Sequence, residues 1–191
     1  MSEEETPKYK DISQQLIAMG DKDLKMLLDH QSGKAEFNPR VHKENLEMLK
    51  EIVEKISWPT ISKVGKKASR AAWLIAQHAD FDVEFQEICL QLMLDTKPND
   101  VDLQDIAYLV DRVAVNKGEK QTYGTQFFTN EAGELVPRPI KDRKRLNTRR
   151  RKMGLEPFET YAQTVKSDNN KAIKAKSPNS DQRLNDSQKR F

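Results

Sequence analysis

An apolar run at residues 71–80, AAWLIAQHAD, ends on an amide, an imidazole and a carboxylate: Gln77, His78 and Asp80. Histidine exchanges protons near neutral pH, so His78 is the candidate catalytic residue. Its place at the margin of the apolar helical stripe equally suits a hydrogen-bonded histidine at the edge of a core. Asp80 lies almost opposite that stripe, where it would either cap the next helix or pair with Arg112 or a later arginine.

A second polar group lies on one flank of the amphipathic helix predicted for residues 101–118, VDLQDIAYLVDRVAVNKG. Gln104, Tyr108, Asp111 and Arg112 share this flank, and Arg112 is suited to hold a carboxylate or a phosphate. An ordinary solvated helix surface is the plainer interpretation. Tyr108 among these polar side chains favours a binding surface.

The periodicity then changes to that of strands. The segments QTYGTQFF and LVPRPI, separated by TNEAGE, predict a β-hairpin at about residues 121–140. In a strand, Tyr123 and Thr125 would share one face and Gln126 would point to the other, while Gly124 would permit a bulge or a close backbone approach. Tyr123 and Gln126 are therefore candidates to orient a ligand, and a strand with a purely structural glycine is the alternative.

Positive charge is concentrated in one segment, residues 138–152 (RPIKDRKRLNTRRRK). This segment holds nine Lys and Arg against one Asp, whereas residues 1–137 hold 17 Lys and Arg against 24 Asp and Glu. Its arginines could grip phosphate groups, or could simply balance the acidic body; no pattern of a sequence-specific nucleic-acid-binding module accompanies them. The candidate ligand-binding residues are Gln77, Asp80, Tyr108, Asp111, Arg112, Tyr123, Gln126, Arg149 and Arg150.

Composition excludes several classes of protein. The mean hydropathy is −0.83, and no run approaches the ~20 apolar residues of a membrane span. The acidic N-terminus has no apolar signal-peptide core, and Cys89 is the single cysteine, so we expect a cytoplasmic protein without an internal disulfide. His30, His42 and His78 lack zinc-site spacing, so no metal site is predicted, and no P-loop or dinucleotide motif identifies a cofactor.

The apolar pattern predicts a mainly α fold of six to seven helices with one small hairpin. Two short helices are expected at residues 9–19 and 21–30, with Gly20 as the stop between them. Apolar groups surround most of the helix at about residues 66–79, because Trp73 and Leu74 lie off its alanine stripe, so this helix should be central. The stripe, which includes Ala68, Ala71 and Ala72, would let a neighbour approach closely. We expect a flexible N-terminus (1–8), one domain (9–162) and a disordered basic tail (163–191) with too few apolar residues to offset its ordering entropy.

Four motifs stand in a fixed order: WP at residues 58–59, AAWLIAQHAD at 71–80, AYLVDR at 107–112 and YGTQ at 123–126, followed by RRRKMGLEPFETY at 149–161. In this order they resemble a bacterial family of small uncharacterised proteins, classified only as a domain of unknown function. The resemblance spans about residues 11–161. It implies a mostly helical domain with a small hairpin and a set of polar motif positions, and it implies no activity.

Two hypotheses for function follow. In the first, the polar motifs converge on one pocket for a small anionic ligand, with Arg112 and one or two of Arg149 to Arg151 holding the anion and His78 transferring a proton. In the second, the polar residues form a buried structural network, and the basic segment 138–152 with the tail binds an acidic protein or a nucleic acid. The sequence does not decide whether the protein is an enzyme, nor its oligomeric state.

Overall fold

The computed structural model describes the backbone of residues 7–176 and the side chains of residues 7–171. It confirms a mainly α fold with one small antiparallel hairpin. The elements are α1 (Lys10–Gln31), α2 (Pro39–Ile56), α3 (Ile61–Val64), α4 (Lys66–Gln77), α5 (Val83–Leu94), α6 (Leu103–Asn116), β1 (Phe127–Thr129), β2 (Leu135–Pro137), a 3₁₀ turn (Arg143–Arg145), α7 (Leu146–Lys152) and α8 (Phe158–Lys176). None of the described helices combines the length and the apolar character needed to cross a bilayer.

Helix α4 lies at the centre of the helical body, as the apolar groups around most of the helix predict. It packs against α1, α2, α3, α5 and α6, and Ala68, Ala72 and Ala76 are fully or almost fully buried. The small side chains let the axis of α1 come close, since a Cβ built on Gly20 would lie 2.8 Å from the Cβ of Ala71.

The prediction of two short helices before residue 31 is wrong, because α1 is a single helix of 22 residues. Gly20 lies inside it and is buried against Ala71 of α4. A mid-helix glycine costs only about 1 kcal/mol relative to alanine, which the burial of Leu16 and Met19 on the same side of the helix outweighs. Gly20 therefore serves helix packing rather than helix termination.

The hairpin is shorter than predicted. β1 and β2 pair in the register Phe127↔Pro137, Phe128↔Val136 and Thr129↔Leu135, whereas the YGTQ segment before β1 is a loop. The prediction that Tyr123 and Thr125 share a strand face is therefore wrong. Gly124 has a φ of 74°, and a Cβ at this position would lie 2.9 Å from the ring of Phe158, so both the backbone conformation and the space require glycine.

Helix α8 continues to Lys176, past residue 163, where the sequence predicts that the disordered tail begins. Lys166, Asn169 and Asn170 of α8 line a surface cleft with Leu135 and Val136, so the helix is supported by the hairpin. This tertiary support cannot be recognised from the polar composition of the segment. Residues 1–6 and 177–191 of the predicted flexible termini lie outside the described residues.

Candidate functional site

The carboxylate of Asp111 holds the loop that leads into the hairpin. Asp111 lies on α6 and is completely buried. Its Oδ1 accepts hydrogen bonds from the backbone N–H groups of Thr122 (2.6 Å) and Tyr123 (2.9 Å), and its Oδ2 accepts from the N–H (2.9 Å) and the hydroxyl (3.0 Å) of Thr125. Burial raises the pKa of Asp111 above its usual value, against the opposite effect of these donors. The YGTQ segment is thus a loop closed around one carboxylate.

Gln121, which lies outside the predicted site, closes the base of the same loop. Its side chain is completely buried, and its amide donates to the carbonyls of Gln126 (3.0 Å) and Arg138 (2.8 Å). Its oxygen accepts from the backbone N–H of Gln126 (2.8 Å). The side chain of Gln121 therefore links the backbones of Gln126 and Arg138 just beyond the paired strands of the hairpin. The sequence does not predict this role, because a glutamine in a polar segment is ordinarily exposed.

Arg149 binds backbone carbonyls instead of an anion. It donates from Nε to the carbonyl of Thr122 (2.9 Å), from Nη1 to that of Asp142 (3.1 Å) and from Nη2 to that of Lys141 (2.5 Å). Its three nitrogens join α7 to the YGTQ loop and to the residues that follow β2. Each of its three nitrogens thus donates one hydrogen bond within the protein, which uses three of the five N–H donors of the guanidinium group.

Arg150 is the largest charged side chain buried in the described residues, at 1% exposure. It donates from Nε to the carbonyl of Glu156 and from Nη1 to that of Tyr123, both at 2.7 Å, and lies 4.8 Å from the ring centre of Tyr161. Burial lowers its pKa. No carboxylate among the described residues accepts a hydrogen bond from it, so carbonyl dipoles and an aromatic face stabilise its charge.

Arg112 contacts two other predicted residues directly. Its Nε and Nη2 donate to the two carboxylate oxygens of Asp80 (2.7 and 2.5 Å), and its Nη1 donates to Oε1 of Gln126 (2.9 Å). Asn116 also donates to Asp80, at 2.8 Å. The ion pair expected between Asp80 and Arg112 is therefore present, while Asp82 caps α5 by accepting from the N–H of Phe85.

Tyr108 and Gln77 make mainly packing contacts. Tyr108 lies edge-on between the rings of Trp73 (6.1 Å) and Tyr161 (6.2 Å). Gln77 is 7% exposed at the end of α4, and its Oε1 accepts no hydrogen bond from the described residues. The ligand-binding roles predicted for both residues stay predictions.

His78 belongs to a separate group, the aspartate–histidine cluster of Asp23, His42 and His78. Its Nδ1 lies 2.7 Å from Oδ2 of Asp23, and Nε2 of His42 lies 2.9 Å from Oδ1 of the same carboxylate. The two imidazole rings stack with their centres 5.1 Å apart. The side chains of Asp23, His42 and His78 are 1%, 13% and 21% exposed. His78 makes no hydrogen bond to Arg112, Tyr123 or Gln126.

Three helices supply this cluster. Asp23 lies on the buried side of α1, His42 lies in the first turn of α2, and His78 is the C-cap of α4. Burial raises the pKa of Asp23, but the hydrogen bond with His78 and the proximity and charge of both histidines outweigh burial and lower the pKa to about 2. Asp23 is therefore an ionised carboxylate at neutral pH, held between two imidazoles.

The basic segment exposes part of its charge. Among its cations, Lys141 pairs with Glu119 and Arg145 pairs with Asp142. Five others are exposed and form no ion pair with residues 7–171; we call them the basic face: Arg138, Arg143, Lys144, Arg151 and Lys152. Arg138 lies over the ring of Phe128 at 4.7 Å, and Arg143 lies over that of Phe158 at 5.5 Å.

Four surface cavities are lined by residues other than the predicted ones. The largest, about 650 Å³, lies beside α3 and the start of α4, where Ser62, Lys66 and Asp100 line it. The others, of about 550, 470 and 330 Å³, lie on α2, on the second half of α1, and between β2 and α8. Among the predicted ligand-binding residues, Asp80, Arg112 and Gln126 are bonded to one another, and Asp111, Arg149 and Arg150 are bonded to the backbone of residues 122–125.

The fold and these networks define a mainly helical domain whose small hairpin is fastened to α6 and α7 by a buried aspartate and two arginines. The chain belongs to DUF6624, a family of unknown function whose model matches residues 10–176. The expectation that the chain belongs to a family of unknown function is thereby confirmed. No curated protein and no solved structure matches the chain.

Proposed function

We propose that this protein binds nucleic acid through the basic face, without catalysis by the YGTQ and AYLVDR motifs. The observation that carries the proposal is the set of five exposed cations that lack a carboxylate partner among the described residues. They occur within 15 residues of a chain whose preceding 137 residues carry more acidic than basic side chains. Such segregation directs a polyanion to one surface and repels it elsewhere.

The alternative, a pocket for a small anionic ligand, has less support. Asp80 and Gln126 occupy the donor nitrogens of Arg112, and backbone carbonyls occupy those of Arg149. An anion that replaced these partners would break hydrogen bonds that contribute about 1 kcal/mol each, and one that left them in place would find only two of the five N–H donors of each arginine without a partner among the described residues. The direct bonds favour a structural network that fixes the basic segment on the helical body.

The chemistry of the basic face favours phosphate over carboxylate partners. Three of its five cations are arginines, and the guanidinium groups of Arg138 and Arg143 lie over aromatic rings. This stacking restricts the side chains and leaves their N–H edges available for phosphate oxygens. Exposed cations close together in the sequence suit the regularly charged backbone of a nucleic acid, contacted without reading of bases.

Binding of short labelled single-stranded and duplex oligonucleotides, measured by fluorescence anisotropy over a range of salt concentrations, tests this proposal. With five phosphate contacts, log K should fall with log salt with a slope of about −3.5 for single strands and about −4.5 for duplexes. Replacing Arg143, Lys144, Arg151 and Lys152 by Gln should remove most of the affinity and reduce the slope by ~0.7–0.9 for each phosphate that the variant no longer neutralises.

A matched control removes the same charge elsewhere. Its four exposed lysines, none of them in an ion pair within the described residues, are Lys10, Lys43, Lys55 and Lys97. Their replacement by Gln should leave both affinity and salt slope within about twofold of the wild type. Equal losses in the two variants, or binding to a poly-glutamate peptide but to no oligonucleotide, would refute binding of nucleic acid at the basic face.

A further inference from the structure

Unpartnered polar atoms concentrate around the aspartate–histidine cluster. Seven buried side-chain nitrogen or oxygen atoms of the described residues lack a hydrogen-bond partner, and four lie in the cluster or next to it in sequence. These four are Oδ1 of Asp23, Nε2 of His42, Oδ1 of Asn45 and Oε1 of Gln77. Asn45 lies one turn beyond His42 on α2, and Gln77 precedes His78. Buried polar atoms nearly always have partners, so this concentration needs a physical cause.

The chemistry of these atoms points to a cation. Three of the four are oxygens that only accept, and the fourth is an imidazole nitrogen with a lone pair in one tautomer. Oδ1 of Asp23 and Nε2 of His42 approach to 2.9 Å, yet their orientation does not satisfy a hydrogen bond. In the tautomer of His42 that carries its proton on Nδ1, both atoms present lone pairs 2.9 Å apart, and a metal ion bound by both would stabilise them.

We propose that Asp23, His42 and His78 bind one divalent transition-metal ion, of which Zn²⁺ is the best match. The three candidate ligand atoms lie within 4.8 Å of one another. Two imidazoles and one carboxylate suit zinc and other late first-row ions, whereas Mg²⁺ and Ca²⁺ prefer oxygen ligands throughout. Three protein ligands leave a coordination position for water or a ligand atom, as in catalytic rather than structural zinc sites.

Small movements are enough to form the site. Tetrahedral zinc with ligand distances of ~2.0–2.1 Å separates neighbouring ligand atoms by about 3.3 Å. The contacts of the Asp23 carboxylate with His78 (2.7 Å, to Oδ2) and His42 (2.9 Å, to Oδ1) would each widen by about half an ångström, and the candidate ligand atoms, which lie within 4.8 Å of one another, would close to this spacing. This site is independent of the basic face and of nucleic-acid binding.

Titration of the chelator-treated full-length chain with Co²⁺ and Zn²⁺ tests the proposal. The wild type should bind one equivalent and give the visible absorption of tetrahedral Co²⁺, which Zn²⁺ should displace. His78→Ala and Asp23→Asn should weaken binding by more than ~10-fold. His30→Ala is the matched control, because His30 is the remaining histidine and is exposed; it should bind as the wild type does.

His42→Cys distinguishes a metal ligand from a structural hydrogen-bonding residue, and serves if the other variants do not fold. A thiolate at this position should retain the metal and add a sulfur-to-Co²⁺ charge-transfer band in the near ultraviolet. The other cysteine, Cys89, is buried and gives the wild-type background. Absence of one-equivalent Co²⁺ binding in the wild type, or of the new band in folded His42→Cys, would overturn the proposal in favour of a hydrogen-bonded link between helices.

Discussion

Replacement of Asp111 by Asn should severely destabilise the protein, although it changes a single atom. Oδ1 and Oδ2 together accept from three backbone N–H groups and one hydroxyl, and the residue has no exposed surface. The side-chain oxygen of Asn can replace one of the two carboxylate oxygens. The NH₂ group replaces the other oxygen and then faces the backbone N–H of Thr122 or Thr125, so that two donors meet without an acceptor. Two buried donors without acceptors cost about 1–3 kcal/mol each, so the loss should be about 2–6 kcal/mol.

Urea unfolding monitored by circular dichroism measures this loss against a total stability of about 5–15 kcal/mol. Asp95→Asn is the control, because Asp95 is exposed and accepts one hydrogen bond, from the amide of Gln91; it should change stability by less than ~0.5 kcal/mol. Hydrogen exchange should locate the defect at the amides of Thr122, Tyr123 and Thr125. If the two variants are equally stable, Asp111 does not hold the loop through these hydrogen bonds.

Two further perturbations have defined outcomes. Gly20→Ala should lower the melting temperature, although alanine has the better helix propensity, because the new Cβ would lie 2.8 Å from the Cβ of Ala71. The double variant Gly20→Ala/Ala71→Gly should recover most of the loss in melting temperature. Failure to recover it would exclude a steric cause. The folded-state pKa of Asp23 is about 2 and its ordinary value 3.8, so about 2 kcal/mol of stability should be present above pH ~4 and lost as the pH falls towards ~2. Urea unfolding at several pH values should show this loss in the wild type and not in Asp23→Asn.

The helices could be predicted because each buries a stripe that local spacing specifies. Steps of three, four and three residues place Leu46, Leu49, Val53 and Ile56 on one face of α2, where Val53 is partly buried and the other three are buried. The central position of α4 followed from the same kind of information, since its apolar residues can be assigned to faces without knowledge of the neighbours. Local periodicity is sufficient to predict a residue's burial where that burial depends only on which side of the helix the residue occupies.

Glycines were harder to interpret because their roles depend on distant residues. Gly20 is required by Ala71, some fifty residues later, and a helix stop at Gly20 was the wrong interpretation. Gly124 was recognised as a position of close approach, but its partner proved to be the Phe158 ring, and its surroundings a loop rather than a strand. The segment is a loop because its backbone N–H groups donate hydrogen bonds to the carboxylate of Asp111, whereas in a strand they would donate to a neighbouring strand.

The aspartate–histidine cluster could not be found from spacing either. Its members come from three helices, so that His42 and His78 appear scattered along the chain, and Asp23 appears to be one more charge on a polar helix. Sequence motifs for metals detect ligands that share one helix or loop, whereas helix packing brings these three residues together. The sequence prediction of no metal site therefore concerned only local spacing.

The QHAD segment, residues 77–80, contacts two different parts of the fold, and its sequence alone does not show which residue contacts which part. His78 contacts Asp23 of α1 and His42 of α2, whereas Asp80, two residues later, pairs with Arg112 of α6. Through Arg112 and Gln126 the second set of bonds reaches the loop before the hairpin, which as an isolated two-stranded element would be marginally stable. The end of α4 turns between His78 and Asp80, so the two residues contact different parts of the protein. Whether His78 transfers a proton or binds a metal is therefore independent of whether Arg112 binds an anion. A variant of one residue should therefore leave the contacts of the other in place.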